Sequence, residues 1–329
     1  MTSNKTFLLS VALAIVALAV LPAFVYPVFL MKVMCFAVYA LSVNLLLGYV
    51  GLLSFGHAMF FGGAAYIFGW LTKEQGLTPE LGLVASVLFA SGLGAIVGLL
   101  AIRRLGIYFS MITLALSQLV YFFFVQAPFT GGEDGLQAIP RGALFGLISL
   151  EETGSLYVFV ATVCMLAFLL VWKIVYSPFG NILMAIRENE VRAVSLGYRA
   201  ERYKLGAFIA SAGFAGLAGA LKAMVFQLAS LTDVTWQMSG EPILMIVLGG
   251  VGTMLGPIVG AAVVTSLEQY LASSSLPIPV VIGTIFVACV MAFQRGLVGE
   301  VKAAAEAARR WRPSVRGGRG EGLRHGDGA

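Results

Sequence analysis

Long runs of apolar residues follow one another along most of the chain, and short polar stretches separate them. The runs are continuous, whereas a membrane-spanning β-strand alternates apolar and polar positions over short segments. Because a helix needs about 20 apolar residues to cross the hydrocarbon core of a bilayer, these lengths predict membrane-spanning helices. We predict about ten spans, at residues 7–26, 28–47, 52–71, 81–102, 107–126, 156–176, 205–226, 242–255, 258–271 and 279–293.

The fold class predicted by this pattern is an all-α polytopic membrane protein in which some helices are short or broken. Segments 242–255 and 258–271 are short, and glycines interrupt the sequence where they meet. Two short spans and one broken element both fit this pattern. Glu241 precedes the first segment and is expected to cap a helix N-terminus, where negative charge is stabilised by about 0.3–1 kcal/mol.

The composition indicates a protein that dissolves in lipid. Hydrophobic residues make up 59% of the chain and charged residues only 11%. A soluble domain carries about 25% charged residues. Residues 1–300 form the predicted transmembrane domain, and residues 301–329 form a basic tail that is Gly- and Arg-rich from Pro313 onward and is expected to be disordered.

Basic residues predict the orientation, because Lys and Arg concentrate in cytoplasmic segments. Arg103 and Arg104, segment 173–204 and the tail after Arg295 fall on the same side as the N-terminus when the spans are counted. Segments on the opposite side carry few basic residues. Both termini are therefore predicted to be cytoplasmic.

Segment 177–204, SPFGNILMAIRENEVRAVSLGYRAERYK, combines positive charge with apolar positions at helical spacing. The apolar positions are Ile182, Leu183, Ile186, Val194 and Leu196. A charged segment between spans needs no apolar face unless another protein covers it. The pattern therefore predicts contact with a cytoplasmic partner.

Motifs for hydrolytic or metal chemistry are absent from the sequence, which contains no G-x-x-x-x-G-K-[ST], no H-E-x-x-H and no G-x-S-x-G. Its two histidines, His57 and His325, suggest no metal site. Its three cysteines lie within apolar runs without paired spacing. The sequence predicts a path or a scaffold that has no ATP site and no cofactor of its own.

Two glycine-rich segments resemble each other. LLLGYVG at residues 45–51 aligns without gaps with IVLGGVG at residues 246–252, and each leads into Gly-Ala-Ala. Transporters are often built from internal repeats, and interrupted segments at matching positions point to the solute path. We predict an internal repeat whose orientation stays open; coincidence in a chain with 39 glycines is the alternative.

Polar residues at membrane depth are candidates for the solute path. His57 is the leading candidate, and Asn44, Ser54 and Gln118 are further ones. For each residue the alternative is a hydrogen bond that only fixes helix packing.

Small residues recur at every fourth position within residues 209–220, IASAGFAGLAGA. This spacing predicts close contact between helices.

On the predicted outer side, the loop at residues 130–140 carries Glu133 and Asp134. These residues serve either hydration of the loop or contact with an external protein that delivers the solute.

Four segments in order resemble the second permease subunit, the LivM-like group, of bacterial branched-chain amino acid ABC importers of the LIV type. The matching segments are LSFGHAMFFGGAAY (53–66), GIYFSMITLALSQLV (106–120) followed by TGGEDGL, the stretch 177–221, and VLGGVGTMLGPIVGAA (247–262). The resemblance covers about residues 30–300. The sequence QRGL at residues 294–297 lacks a proline that is usual in this family.

The resemblance implies a permease of the bacterial inner membrane. Its partners would be a second permease subunit, two cytoplasmic ABC ATPase subunits, which bind ATP and Mg, and a periplasmic substrate-binding protein. The segment at residues 181–196 would be a coupling helix that docks into an ATPase. Its interface candidates are Ile186, Arg187, Glu188, Asn189 and Val194.

Other functions stay open. The same type of transporter could carry urea or another small polar solute. A stand-alone secondary transporter would need buried Asp or Glu residues, of which the spans contain few. An intramembrane enzyme would need a paired nucleophile and base, and the sequence offers none.

Overall fold

The computed structural model describes residues 18, 20–104, 106–144, 146, 148–272, 280, 281, 283, 284, 286, 287, 291 and 296–300. Most of these residues are helical, which agrees with the predicted fold class. Most of the predicted spans 7–26 and 279–293, and the predicted tail 301–329, lie outside the described residues.

Ten α-helices follow one another in the described part of residues 27–271. They are α1 (Pro27–Leu47), α2 (His57–Lys73), α3 (Pro79–Ala101), α4 (Ile107–Gln126), α5 (Thr153–Val175), α6 (Pro178–Glu188), α7 (Glu190–Ser195), α8 (Ala200–Phe226), α9 (Trp236–Gly249) and α10 (Gly256–Leu271). Short 3-10 turns lie at Leu21–Ala23, Pro128–Thr130, Gly132–Asp134 and Leu231–Val234.

Five of these helices, α1, α3, α4, α5 and α8, are long and apolar enough to cross a membrane. The helices α2, α9 and α10 are shorter, with 17, 14 and 16 residues. The predicted total of ten spans therefore stays a prediction.

Helix α8 is the centre of the bundle and packs against α1, α2 and α3. Its small residues permit this close packing, because a Cβ atom on Gly219 would collide with the backbone carbonyl of Phe61 on α2. A Cβ atom on Gly216 would likewise meet the side chains of Ala90 and Ala64. The prediction of a small-residue contact face is confirmed.

Helices α9 and α10 form a tight antiparallel pair. Gly249 packs against Gly256, and Gly260 packs against the backbone of Met245. The structure has two short helices in this region, joined at residues 250–255. Whether they form two short spans or one broken element stays a prediction.

The prediction that Glu241 caps a helix was wrong. Helix α9 begins five residues earlier, at Trp236, so Glu241 lies inside the helix. Pro242 also lies inside it and has no amide hydrogen to donate to the carbonyl four residues before it, which belongs to Met238. The Tyr39 hydroxyl donates to that carbonyl at 3.2 Å, so α1 satisfies the bond that the proline removes.

Two small antiparallel ribbons supplement the predicted all-α fold. Strand β1 (Leu136–Gln137) pairs with β4 (Leu228–Ala229), with Leu136 opposite Ala229. Strand β2 (Ala143–Leu144) pairs with β3 (Ile148–Ser149). The first ribbon ties the loop after α4 to the residues that follow α8.

Candidate functional site

Residues 177–204, which we call the basic segment, fold into two short helices and the start of a third. The predicted single helix at 181–196 is interrupted at Asn189, whose backbone is extended. The Asn189 side chain accepts a hydrogen bond from the Arg192 amide at 3.0 Å and so caps α7. Ser177 caps α6 in the same way, accepting from the Gly180 amide at 3.4 Å. These side-chain caps satisfy amides that lack partners in the first turn of a helix.

The inner face of the basic segment packs on itself and on α8. Ile186 is buried, and it clusters with Ala193 and Ala200, while Ile182 and Tyr203 pack against them. Ile186, a predicted interface residue, therefore supports the fold of the segment from inside.

The outer face of the basic segment exposes large apolar side chains. Val191 is 77% exposed, Leu196 is 72% exposed and Val194, a predicted interface residue, is 53% exposed. Glu188 and Asn189 are exposed as well. The same segment also has a pocket of about 400 Å³, which is lined by Phe179, Gly197, Tyr198, Arg199, Arg202 and Tyr203. An apolar face with a basic rim has the character of a protein contact surface.

An ion pair within the basic segment ties the first residue of α7 to the start of α8. The Lys204 ammonium lies 2.6 Å from a carboxylate oxygen of Glu190, and the lysine side chain is only 3% exposed. Removing one partner would leave a buried charge unpaired, which costs more than an exposed pair contributes. The pair therefore holds α7 against the start of α8.

Arg187 connects the basic segment to the glycine-rich turn after α1. Its guanidinium donates a hydrogen bond to the Gly48 carbonyl. Its side chain also passes Gly51 and Gly252, so that a Cβ atom on either residue would lie 3.0 to 3.2 Å from it. Arg187 thus contacts the turns of both segments that were predicted to be repeats.

Asn44 joins those two turns directly. Its side-chain amide donates to the Thr253 carbonyl at 2.9 Å, and its side-chain oxygen accepts from the Gly252 amide at 3.0 Å. Gly51 and Gly252, which align in the two segments, both have a positive φ, of 80° and 74°. The geometry is compatible with a repeat, which stays a prediction.

His57 begins α2 and forms a buried chain of hydrogen bonds. Its Nε2 atom lies 2.8 Å from the Ser211 hydroxyl, which in turn donates to the Ser42 carbonyl at 2.6 Å. Because the Ser211 hydrogen is used on Ser42, Nε2 of His57 carries the hydrogen in this arrangement. These hydrogen bonds tie α1, α2 and α8 together. Such a packing role was the alternative to contact with the solute.

The other predicted path residues lie apart from one another. The Ser54 hydroxyl is buried and accepts from the Gly56 amide at 3.2 Å, which shapes the turn before α2. Gln118 is half-buried on α4. On the other side of the bundle, Asp134 is exposed and follows Glu133 in a 3-10 turn of the outer loop.

A cavity that the sequence analysis missed lies beside α1, α9 and α10. Its described lining includes Lys32, Glu241 and Glu268. The signal was present, because Lys32 is the only charged residue of the predicted span 28–47. An ionisable residue at membrane depth is a functional hypothesis by default.

The family model for the permease component of branched-chain amino acid transport systems matches residues 25–294. The chain belongs to this family. It is therefore a multi-pass membrane protein of a family of transport subunits, in agreement with its five long apolar helices.

Relatives with assigned names agree with this membership. The chain is similar to the high-affinity branched-chain amino acid transport system permease protein LivM of Escherichia coli, with 30% identity over 251 residues, which are 69% of this chain and 59% of that protein. LivM of Salmonella typhimurium is 29% identical with the same coverage. The chain thus spans about three fifths of the length of these relatives.

Two further similarities are to other transport proteins. The autoinducer 2 import system permease protein LsrC of Salmonella typhi is 30% identical over 117 residues, or 34% of each chain. A solved structure described as an inward-facing conformation of a metal-chelate type ABC transporter is 17% identical, with a TM-score of 0.47 over 88% of this chain and all of that chain.

Proposed function

We propose that this chain is one permease subunit of an ATP-driven ABC importer and forms half of the path for branched-chain or related amino acids. Its family membership supports the transporter class. The names of its E. coli and Salmonella LivM relatives support the solute class.

The complete importer in this proposal contains a second permease subunit, two cytoplasmic ABC ATPase subunits and a periplasmic binding protein. ATP and Mg bind the ATPase subunits, and this chain binds no cofactor. The chain lies in the bacterial inner membrane with about ten spans within residues 1–300 and both termini in the cytoplasm. The outer loop that carries Glu133 and Asp134 meets the binding protein.

The observation that carries the proposal is the outer face of the basic segment. Val191, Val194 and Leu196 are exposed there, and Arg199 and Arg202 of the same segment are exposed as well. Exposed aliphatic side chains with a basic rim, opposite a well-packed inner face, suit a surface that another protein covers. In this proposal an ATPase subunit covers it.

Coupling would follow from the contacts of the same segment. When ATP closes the ATPase subunits, α6 and α7 move with them. Arg187 then pulls on the turn at Gly48, and the Lys204–Glu190 pair pulls on α8. Such contacts can shift the path between its two orientations only by their difference in free energy between the two states.

Val194→Asp tests the docking surface. A carboxylate there would have to be desolvated against the partner, so we expect at least about fivefold less ATPase subunit to co-purify with the tagged chain and an equal fall in ATP-dependent uptake. Ile148→Asp is the matched control, because Ile148 on the predicted outer side is 54% exposed and Val194 is 53% exposed. Equal co-purification of the ATPase with both variants would contradict the proposal.

A second candidate solute is a small polar molecule other than an amino acid. The similarity to the autoinducer 2 permease over 117 residues favours keeping this candidate. Uptake assays with the cognate binding protein distinguish the two, since that protein selects the solute before it reaches the membrane.

A further inference from the structure

The cavity beside α1, α9 and α10 has a volume of about 770 Å³. This is within the range of about 300–1,000 Å³ that is usual for small-molecule sites. Phe55 and Trp236 supply aromatic surface, and Gln237 and Gln269 supply amide groups. The cavity is therefore large enough for an amino acid and chemically mixed enough to hold one.

Acidic groups outnumber basic groups in the described lining of this cavity, with two carboxylates and one ammonium group. Lys32 and Glu268 form an ion pair, with 3.4 Å between the ammonium nitrogen and the carboxylate oxygen. Glu241 adds a second carboxylate, and Lys32 is the only basic residue among the described residues of the lining. With all three groups ionised, the cavity carries one excess negative charge. A cationic group inside the cavity would neutralise it.

The cavity also lies where the helical elements are interrupted. Phe55 belongs to the non-helical stretch between α1 and α2, and Trp236 is the first residue of the short helix α9. Interrupted segments near membrane depth are where transporters commonly place their solutes. The bond from Tyr39 to Met238, and the bond from the Ala58 amide to the Ser239 hydroxyl at 2.9 Å, fix the start of α9 in place.

We propose that this cavity binds the transported solute and that Glu241 accepts a hydrogen bond from its α-ammonium group. The Lys32–Glu268 pair lines the same cavity, and the apolar side chain of the solute contacts Phe55 and Trp236. The ligand class is a small amine that carries an apolar group. The inference rests on the proposed import of amino acids and adds the residue that recognises the amine.

Chemical labelling of a thiol tests the excess negative charge of the cavity and does not depend on transport. Gln237 lines the cavity and is exposed, so Gln237→Cys places a thiol there once Cys35, Cys164 and Cys289 are replaced by Ala. The assembled transporter is treated with trimethylammonium-ethyl or sulfonato-ethyl methanethiosulfonate. We expect the ratio of the cationic to the anionic labelling rate to be about tenfold higher at this thiol than at free cysteine. Glu241→Gln should bring that ratio close to the value for free cysteine.

A thiol introduced by Gln137→Cys is the matched control, because Gln137 is exposed in β1 and lies outside this cavity. Its reagent preference should be the same whether or not the chain also carries Glu241→Gln. A cation preference at Gln237→Cys that survives Glu241→Gln overturns the charge assignment.

Transport of amino acids tests the role of Glu241 in binding the solute. In proteoliposomes that contain the whole importer, Glu241→Gln should reduce leucine uptake at least about tenfold, and Glu241→Asp should restore part of it. Co-purification of the ATPase should be unchanged, which shows that the variant folds and assembles. Glu152→Gln, at an exposed outer-side residue, should transport like the wild type.

The two tests separate this inference from the proposed function. Normal uptake by Glu241→Gln overturns the inference while the importer stands. Absence of leucine uptake by the wild-type importer contradicts the proposed solute, whereas a labelling preference that depends on Glu241 would still support a site for cations.

Discussion

At the scale of single residues, the side chains with the most connections are those that link elements far apart in the sequence. Arg187 joins the basic segment to the turn at Gly48, and Asn44 joins that turn to Gly252 and Thr253. Sequence reasoning identified both residues as candidates. It assigned Arg187 to an external partner, and the structure adds an internal contact for the same side chain.

Arg187→Ala removes the hydrogen bond to the Gly48 carbonyl and leaves the exposed apolar face intact. We expect the ATPase subunits still to co-purify, while stimulation of ATP hydrolysis by the loaded binding protein falls about tenfold, because the segment no longer pulls on the turn. Arg104→Ala, at an exposed arginine outside the segment, is the control. If both variants are stimulated equally, Arg187 does not transmit the movement.

His57 offers a direct choice between a packing role and a path role. His57→Phe keeps a ring between Phe60 and Phe208 but loses the bond to Ser211. Polar bonds between membrane helices contribute about 0.6 kcal/mol on average and up to about 1.7 kcal/mol. We expect a coupling free energy of that size in a double-mutant cycle with Ser211→Ala, measured by unfolding in detergent, and an unchanged KM for uptake. A strongly altered KM with no coupling energy would favour the path role.

At the scale of elements, two features depend on partners that lie elsewhere in the chain. The basic segment breaks at Asn189 because that side chain caps α7. Helix α9 continues through Pro242 because the Tyr39 hydroxyl on α1 bonds the carbonyl that the proline leaves without its helical partner. The family resemblance implied a single helix at residues 181–196 in the first case, and the apolar run predicted a helix start at Pro242 in the second.

The role of Tyr39 predicts a specific pattern of rescue. Tyr39→Phe should lower the free energy of unfolding by about 1–2 kcal/mol, because it leaves a buried carbonyl without a donor. In a Pro242→Ala background the restored amide at position 242 can bond that carbonyl. Tyr39→Phe should therefore lower the free energy of unfolding by clearly less in that background. Unfolding in detergent measures all four variants. An identical cost in both backgrounds would show that the hydroxyl does not replace the missing amide.

At the scale of the whole molecule, composition and hydrophobic run length were enough to predict a helical membrane protein, and the small residues of α8 were enough to predict its close contacts. The cavity near Glu241 was not predicted, because Lys32 and Glu268 are 236 positions apart and only the packing of α1 on α10 brings them together. The burial of Ile186 was missed for a similar reason, since Ala193 and Ala200 cover it only after the segment folds back at Asn189.

The most direct test of the account is purification of the tagged chain with its partners from mild detergent, followed by reconstitution into proteoliposomes. We expect an ABC ATPase and a second permease to co-purify, and we expect leucine to accumulate only when both ATP and the loaded binding protein are supplied. Leucine uptake by the chain alone, driven by an ion gradient and independent of ATP, would contradict the importer and identify a stand-alone secondary transporter.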